Sequence, residues 1–368
     1  MPILQKAALR GASVHFVWSD GFEADFASAW LLDNAASPGD PARGQRVTTL
    51  QSLADAGPIQ GVTVADDAAH IELASEALAW HGAHLRAQAE RASKTPRETV
   101  LWPRAADIAE RPAIPYSDYL TDDGLLETAL SEIEQVGLVR FTDAGLKLDE
   151  VERTVGRFGF IRETNYGRLF EVRIVADPEN LANTARALES HTDNPYRDPA
   201  PTLQLLHCIR NSGSGGATFF LDGFALAEWF REEHADDFTR LAAHAVPFAF
   251  TGASGERYEA RSPVLRLDAD GALIGIRFNH RALGSVDFGA AETARWYESY
   301  LKFANEAGAS TRHLSLDMQP GDIVLFDNER ILHGRDAFSG ASDRFLTGCY
   351  ADRDGLRATL ARLRRREF

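Results

Sequence analysis

Three side chains that can bind a metal ion are divided between two distant parts of the chain. His191 and Asp193 are two residues apart, whereas His333 lies far downstream. In an extended strand, residues i and i+2 point to the same face, so His191 and Asp193 can chelate one ion. His333 must then come from another strand. The chain therefore needs a fold that brings sequence-distant strands together at one place.

The ligand types narrow the choice of metal. Two imidazoles and one carboxylate form a facial triad, which suits non-haem Fe(II) and leaves positions open for dioxygen and a co-substrate. Arg344 follows His333 by eleven residues. A guanidinium at that distance suits bidentate binding of a dicarboxylate co-substrate. The pattern predicts a mononuclear iron site with an anion-binding arginine.

A second His-x-Asp pair, His234 and Asp236, has the same spacing in a different setting. It lies in the segment 224–245, which is rich in helix formers with apolar residues at helical spacing. On a helix, residues i and i+2 diverge, so these two side chains cannot face one ion. We interpret this pair as part of a solvated helix face.

The composition excludes several classes of function. The chain has 39 Lys and Arg against 54 Asp and Glu, a net charge of -15, which disfavours binding to nucleic acid. It has no apolar run of membrane-spanning length, and its first residues do not resemble a signal peptide. Cys208 and Cys349 lie in apolar, strand-like segments and are predicted to be buried thiols. We expect a cytoplasmic protein that does not bind membranes.

The length of 368 residues predicts one large domain and a smaller one. Residues 1–95 are predicted to form a small β-rich domain with strands at 13–16, 61–64 and 70–73 and a helix at 79–94. A linker follows at 91–99. Residues 100–368 have helices predicted at 125–137 and 148–159, and then strands that alternate with Gly- and Asp-rich turns. This part is predicted to be mainly β with helices, a double-stranded β-helix (jelly roll).

Several ordered blocks are distributed along the chain, namely AWLLDN (29–34), LWP (101–103), HTDNPYRDP (191–199), LQLLHC (203–208), GGATFFLDGF (215–224), RFNHR (277–281), GDIVLFDNERILHGR (321–335) and RFLTGCYADRD (344–354). Together they resemble one enzyme family, the Fe(II)- and 2-oxoglutarate-dependent dioxygenases, and within it the γ-butyrobetaine and trimethyllysine hydroxylases. The resemblance covers nearly the whole chain.

The resemblance implies specific roles. His191, Asp193 and His333 match the iron ligands of the family. Arg344 matches the arginine that pairs with the distal carboxylate of 2-oxoglutarate. Thr218 lies where a hydroxyl residue assists that carboxylate, and Leu206 lies beside the co-substrate. The implied cofactors are Fe(II) and 2-oxoglutarate, with ascorbate as a reductant in vitro.

The resemblance also implies an aromatic cage for a quaternary ammonium group. Such a cation donates no hydrogen bond, so proteins hold it with aromatic faces, each contributing about 0.5–2 kcal/mol. The positions of the cage match Tyr166, Phe170 and Tyr350. The implied substrate is a small trimethylammonium zwitterion, which reacts with dioxygen as co-substrate.

The chain departs from the family pattern at two places, and each departure leads to a further expectation. The zinc-binding cysteines of the family are replaced by Ala35, Ser37 and Asp40. Without thiolates we expect no zinc site, although the family's homodimer remains what the resemblance suggests. At the substrate's anionic end, an aromatic cage position is replaced by Asn183.

Further amide, guanidinium and phenol groups accompany Asn183 in the sequence, namely Asn194, Tyr196, Arg197, Asn279 and Arg281. A phosphonate presents three oxygens, which such donors suit better than a carboxylate. The favoured substrate is therefore 2-(trimethylammonio)ethylphosphonate, hydroxylated at the carbon bearing phosphorus. If Arg197 and Arg281 instead form structural ion pairs, γ-butyrobetaine hydroxylation to carnitine is the alternative.

Other classes of protein make different demands on these residues. A halogenase of this superfamily needs its carboxylate ligand replaced, whereas Asp193 is present. A binding module would tolerate a broken triad, and here all three ligands and Arg344 are intact. A zinc hydrolase uses similar ligands, and dependence on Fe(II) and 2-oxoglutarate distinguishes the two.

Overall fold

The computed structural model describes residues 2–35, 49–55, 57–73, 77–92, 99–175, 181–211, 214–252, 254–339 and 343–364. The chain divides into two compact units, Met1–Pro96 and Arg97–Phe368. The segment 93–98, with most of the predicted linker, lies outside the described residues, as do Ser37 and Asp40 of the replaced zinc positions.

The first unit contains two antiparallel sheets in its described part, with strand orders β1-β2-β3 and β4-β5-β6. Large buried side chains, including Phe16, Trp18, Ile71 and Trp80, form its core. Its elements are β1 (Leu4–Arg10), β2 (Ser13–Trp18), β3 (Glu23–Ala27), α1 (Ser28–Asp33), α2 (Leu50–Asp55), β4 (Gly61–Ala65), β5 (Ala68–Glu72), β6 (Ala77–His81) and α3 (Gly82–Ala92).

The helix predicted over 79–94 was placed too early. Strand β6 occupies Ala77–His81, and the helix begins only at Gly82. Trp80 is buried while Ala79 and His81 are exposed, so the strand has the two-residue alternation of a half-buried sheet. Pairing of β6 with β5 outweighs the helix-forming tendency of the alanines.

The first half of the second unit combines helices with the strands that begin its sheets. Its elements are α4 (Ala106–Ala109), β7 (Ile114–Pro115), α5 (Tyr116–Thr121), α6 (Asp123–Val136), β8 (Leu138–Thr142), α7 (Glu150–Gly156), β9 (Phe170–Arg173), a 3-10 turn (Leu181–Asn183), β10 (Leu188–His191), β11 (Leu203–Arg210), β12 (Ser214–Gly215) and β13 (Thr218–Asp222).

The second half completes the sheets and adds a helical layer. Its elements are α8 (Gly223–Glu233), α9 (Ala235–Ala243), β14 (Val246–Thr251), β15 (Arg257–Ser262), β16 (Leu265–Leu267), β17 (Leu273–Ile276), a 3-10 turn (His280–Ala282), α10 (Ala290–Ala307), a 3-10 turn (Ser310–Arg312), β18 (Leu314–Leu316), β19 (Ile323–Asp327), β20 (Ile331–Arg335), β21 (Phe338–Ser339), β22 (Phe345–Ala351) and α11 (Arg353–Arg364).

Two main sheets face each other in the second unit. One has the order β7-β8-β19-β11-β22-β9 and the other β10-β20-β13-β18. Leu206 and Phe326 of the first sheet share a buried cluster with Phe220 and Leu314 of the second. The expected β-rich fold with helices is confirmed, and the facing sheets agree with a jelly roll.

Helices cover the outer face of the six-stranded sheet. Leu203 and Leu205 of β11 pack in one cluster with residues of α5, α6, α7 and α11. Helix α6 begins where the Asp122 carboxylate accepts hydrogen bonds from two backbone N–H groups, and it ends at Gly137. Gly137 has φ 85°, a left-handed conformation that favours glycine.

The segment 224–245 is two helices rather than the one predicted. Helix α8 ends at Glu233 and α9 starts at Ala235, because His234 has the non-helical angles φ -138° and ψ 54°. The His234 ring packs against Trp229 and Phe230. His234 and Asp236 are not part of the group formed by His191, Asp193 and His333 that could hold a metal ion. Among the described residues, none of the helices has the length and apolar character needed to cross a membrane.

Candidate active site

A cavity of about 130 Å³ is lined by residues of both main sheets. It collects most of the side chains that the sequence singles out. The predicted residues on its wall are Tyr166, Phe170, Asn183, His191, Asp193, Leu206, Thr218, His333, Arg344 and Tyr350.

His191, Asp193 and His333 come together at this cavity. His191 at the end of β10 is the cross-strand partner of His333 on β20. Asp193 Oδ1 lies 3.3 Å from His191 Nε2, and Asp193 Oδ2 lies 3.9 Å from His333 Nε2. One ligand atom of each residue lies within 4.8 Å of the others, a geometry that can hold one metal ion. In the described ranges this is the one such group.

Asp193 reaches the cluster from a bend, not from the extended strand that the i, i+2 argument assumed. Strand β10 ends at His191, and Asn194 turns the chain with φ 53°. The Asn328 side chain fixes the bend from both sides. Its Oδ1 accepts from the Asp193 N–H at 2.8 Å, and its Nδ2 donates to the Asp193 carbonyl at 3.0 Å.

The Asp193 carboxylate has two further donors. The Tyr350 hydroxyl donates to Oδ2 at 2.8 Å, and Gln204 Nε2 donates to the same oxygen at 2.9 Å. Burial and the Asp193 charge raise the pKa of Tyr350 well above its usual range, so the phenol keeps its proton and donates it.

The charges around the cluster favour neutral imidazole and an ionised carboxylate. Burial alone would raise the pKa of Asp193, but its contacts with His191 and His333 and the hydrogen bond from Tyr350 lower that pKa well below its usual range. Burial, aided by the charges of His191 and Arg281, lowers the pKa of His333 to about 3. Metal ions bind these deprotonated forms.

Arg344 is a buried guanidinium on the wall of the same cavity. It precedes β22 and is 5% exposed. Its Nη2 donates to Thr218 Oγ1 at 2.5 Å, and Leu206 lines the same cavity. Burial lowers the pKa of Arg344 from its ordinary value, although an arginine remains charged near neutral pH.

Aromatic rings form another part of the wall. The Phe170 and Tyr350 ring centroids are 5.0 Å apart, and Tyr166 lines the cavity beside them. Gly348 is opposite Phe170 on the paired strand. A Cβ at Gly348 would come within 2.4 Å of the Phe170 ring, so the glycine allows the ring to lie across the sheet.

The other predicted substrate residues lie outside the cavity lining. Tyr196 donates to Asn194 Oδ1 at 2.7 Å, and its hydroxyl is 3.0 Å from that of Tyr166. Asn279 donates to the Thr192 carbonyl at 3.0 Å. Two arginines remain: Arg197 donates to Asn165 and lies over the Tyr258 ring, while Arg281 is exposed near the cluster.

Three residues that contact the cavity or its ligands were missed. Gln204 and Asn328 hold Asp193, and Arg335 lines the wall. Arg335 is buried and donates to backbone carbonyls of the segment 181–186, including Ala182 at 2.7 Å. A glutamine inside the apolar run TLQLLHCI is a signal that points to Gln204. Nothing in the sequence distinguishes Asn328 from an ordinary turn residue.

Comparisons with known proteins agree with this arrangement. The family described as "Taurine catabolism dioxygenase TauD, TfdA family" matches residues 103–350. A gamma-butyrobetaine dioxygenase from Pseudomonas sp. (strain AK-1) is 32% identical over 98% of this chain and 96% of its own. The corresponding protein from Homo sapiens is 28% identical over 99% and 98%. A mitochondrial trimethyllysine dioxygenase from Gallus gallus is 27% identical over 89% and 81%.

Solved structures show the same fold at lower identity. An asparagine oxygenase in complex with Fe(II), 2S,3S-3-hydroxyasparagine and succinate has a TM-score of 0.51 and 15% identity, covering 62% of this chain and 79% of its own. A taurine dioxygenase from Burkholderia xenovorans has a TM-score of 0.50 and 13% identity, covering 64% and 84%. The chain therefore belongs to the TauD/TfdA family and is an Fe(II)/2-oxoglutarate-dependent dioxygenase related to the gamma-butyrobetaine and trimethyllysine dioxygenases.

Proposed function

We propose that this dioxygenase hydroxylates a small trimethylammonium zwitterion, with γ-butyrobetaine as substrate and carnitine as product. The observation that carries the proposal is the pair of rings, Phe170 and Tyr350, on the same cavity as the His-Asp-His cluster. The relatives named gamma-butyrobetaine dioxygenase, which match this chain over nearly its whole length, support the same choice.

His191, Asp193 and His333 would hold Fe(II), and the surroundings of His191 fit this role. A carbonyl oxygen can only accept, so the 2.8 Å contact between His191 Nδ1 and the Glu189 carbonyl places the proton on Nδ1. His191 Nε2 is then left with its lone pair towards the cluster, an arrangement typical of metal-bound histidine. When bound, Fe(II) with 2-oxoglutarate and dioxygen supplies the oxidising chemistry.

Arg344, Thr218 and Leu206 would bind 2-oxoglutarate. The Arg344 guanidinium would pair with the distal carboxylate, and the Thr218 hydroxyl that already contacts Arg344 would hold the guanidinium in position. A buried arginine gains most from such a pair, because the anion compensates a charge removed from water. Leu206 would exclude water from the side of the co-substrate.

Tyr166, Phe170 and Tyr350 would bind the trimethylammonium group. Ring faces attract a quaternary cation without hydrogen bonds, and each contributes about 0.5–2 kcal/mol. Since the rings are attached to different strands and a loop, they would fix the cation from several directions. This orients one methylene of the substrate towards the metal, and such positioning dominates the rate of reactions of this kind.

The preference for a phosphonate substrate is not supported. The relatives are named for γ-butyrobetaine and trimethyllysine, and most of the expected phosphonate donors bond to the protein itself. Asn279 bonds to Thr192 and Arg197 to Asn165, and neither lines the cavity. Asn183 does line it, and its amide NH₂ group has two donors to offer to a carboxylate.

A comparison of four compounds tests this proposal. Purified protein with Fe(II), 2-oxoglutarate and ascorbate is given γ-butyrobetaine, 2-(trimethylammonio)ethylphosphonate, trimethyllysine or 5,5-dimethylhexanoate, the isostere in which carbon replaces the ammonium nitrogen and the positive charge is absent. We expect γ-butyrobetaine to give the fastest succinate formation. The isostere has the same shape without the charge, so it should be a poor substrate. Fastest turnover of the phosphonate, or equal turnover of the isostere, would contradict the proposal.

A further inference from the structure

The two oxygens of the Asp193 carboxylate have unequal surroundings. Oδ2 accepts hydrogen bonds from Tyr350 at 2.8 Å and from Gln204 at 2.9 Å. Oδ1 faces His191 Nε2 at 3.3 Å. A carboxylate oxygen with two donors already directed at its lone pairs has little capacity left for a metal ion. The oxygen beside His191 is therefore the better ligand.

The sheet fixes both donors in place. Gln204 on β11 and Tyr350 on β22 are directly opposite each other in the antiparallel register. Side chains of such a pair project to the same face, about 5 Å apart at their Cβ atoms. Gln204 is 2% exposed and Tyr350 is 5% exposed. The rigid pair thus presents two donors to one oxygen.

The orientation of the Gln204 amide follows from its partner. A carboxylate only accepts hydrogen bonds, so the NH₂ group of Gln204 must face Asp193. Its Oε1 is buried and, in the part of the chain that the structure describes, has no hydrogen-bond partner. Leaving a buried acceptor unsatisfied costs about 1–3 kcal/mol in general. The hydrogen bond to Asp193 must offset this cost, so we infer that it fixes the orientation of the Gln204 amide.

We propose that Gln204 and Tyr350 are positioning residues that restrict Asp193 to binding the metal through Oδ1 alone. The inference rests on the proposed function, since it takes the metal to be held by His191, Asp193 and His333. One carboxylate oxygen occupies one coordination position instead of two, which preserves positions for the co-substrate and dioxygen. Tyr350 then has two tasks: its hydroxyl holds the ligand, and its ring faces the substrate cation.

Co(II) binding to the metal-free protein tests this inference without relying on turnover. Visible absorption of Co(II) reports its coordination number, and titration gives its Kd. The variants are Tyr350→Phe and Gln204→Leu, which each remove one donor to Oδ2. Tyr166→Phe is the matched control, because it removes a hydroxyl of the same cavity that contacts the Tyr196 hydroxyl.

We expect Tyr350→Phe and Gln204→Leu to raise the Kd for Co(II) by about 10- to 100-fold, the usual effect of removing a partner of a metal ligand. Their Co(II) absorption spectra should also change, since a carboxylate free to bind through both oxygens takes a second coordination position and alters the ligand set of the metal. Tyr166→Phe should titrate as the wild type does, with the same spectrum.

The results test the positioning role and the metal site separately. If both variants bind Co(II) with the wild-type Kd and spectrum, the positioning role is overturned while the metal site stands. If the wild-type protein binds no Co(II), the metal site is overturned, and the positioning role with it. Tyr350→Phe keeps the ring and its packing on Phe170, so it gives an answer even if Gln204→Leu fails to fold.

Discussion

Arg335 and Arg344 place two buried positive charges on the cavity wall. Burial, followed by the charges of Arg344 and Arg281, lowers the pKa of Arg335 to about 10. The three guanidiniums thus repel one another near a cavity whose lining carboxylate residues are Asp193 and Glu171. A dianion such as 2-oxoglutarate relieves that repulsion when it binds, which explains how a chain with a net charge of -15 can bind an anion.

Replacing Arg344 tests the binding of the co-substrate. Arg344→Met removes a charge-assisted hydrogen-bond donor, an interaction of about 1.5–3 kcal/mol. We expect the KM for 2-oxoglutarate to rise by about 10- to 100-fold. The KM for γ-butyrobetaine should change far less. Steady-state succinate formation at varied 2-oxoglutarate measures both, and an unchanged KM for 2-oxoglutarate would remove the role of Arg344.

Replacing Phe170 tests the aromatic cage. Phe170→Leu keeps an apolar side chain but removes one ring face, worth about 0.5–2 kcal/mol to a cation. The KM for γ-butyrobetaine should then rise by about 2- to 30-fold. Competition by 5,5-dimethylhexanoate, the isostere without the cationic group, is the control, because its tert-butyl group gains nothing from a ring quadrupole. An equal loss of affinity for both compounds would show that Phe170 contributes only packing.

Among the structural elements, β11 shows how far the sequence predicts the site. The apolar run around Gln204 predicts a buried strand, and the structure has one. The contact of Gln204 with Asp193 depends on the register that sets Gln204 opposite Tyr350, and register is a long-range property. Likewise, the spacing of His191 and Asp193 predicted their convergence, but the bend held by Asn328 depends on a distant turn.

The other face of β11 carries a buried histidine, His207. Burial lowers its pKa below the ordinary value, against the opposing effects of Glu150 and the backbone of Gly145. The unfolded chain therefore binds more protons than the folded one below about pH 6.5, so the free energy of unfolding falls as the pH drops through this range.

His207→Leu should make this pH dependence shallower. Urea unfolding of the metal-free protein from about pH 7 to about pH 5 measures the slope for both proteins. His333, whose pKa is also lowered, contributes equally to both and cancels in the comparison. Parallel pH curves for the two proteins would contradict the assignment to His207.

A buried ion pair links the end of β13 to the turn that precedes β20. Arg330 donates to both oxygens of Asp222, at 3.0 and 2.7 Å, and the two side chains are 3% and 0% exposed. Arg330→Met should lower the free energy of unfolding by about 3–5 kcal/mol, because it leaves a buried carboxylate unpaired. Urea unfolding measures this loss.

The matched control is an exposed pair on β15. Arg257 and Glu259 are 3.1 Å apart, with side chains 62% and 49% exposed. Arg257→Met should therefore change the free energy of unfolding by only about 0–1 kcal/mol. Equal losses in Arg330→Met and Arg257→Met would show that burial of the Arg330 pair contributes little.

For the whole molecule, the sequence predicted a β-rich fold with helices and the convergence of His191, Asp193 and His333, since these follow from local patterns and widely spaced motifs. The substrate's anionic end was less predictable. Residues such as Arg197 and Asn279 follow the motif positions, yet their side chains bond within the protein. Composition and spacing do not reveal such pairings, because each pairing depends on which protein groups lie nearby in the folded chain. Homodimerisation and a cytoplasmic location stay predictions.

The replaced cysteines give a prediction about metal content. Ala35, Ser37 and Asp40 offer no thiolate at the positions where the resemblance implies zinc ligands. Elemental analysis of the purified protein should therefore find no stoichiometric zinc after brief chelation and reloading with Fe(II). Iron should be retained by the wild type and lost in His333→Ala. Zinc that remains in equal amount with the chain after chelation would contradict the prediction.

The most direct test of the central claim is the stoichiometry of one reaction followed by NMR. The protein is mixed with Fe(II), 2-oxoglutarate and γ-butyrobetaine, and the loss of γ-butyrobetaine is compared with the formation of succinate and carnitine. We predict equal amounts of the three changes, dependence on Fe(II), and no reaction in His191→Ala or Asp193→Ala that fold normally. Succinate formed without loss of γ-butyrobetaine, or full activity in either variant, would contradict the account.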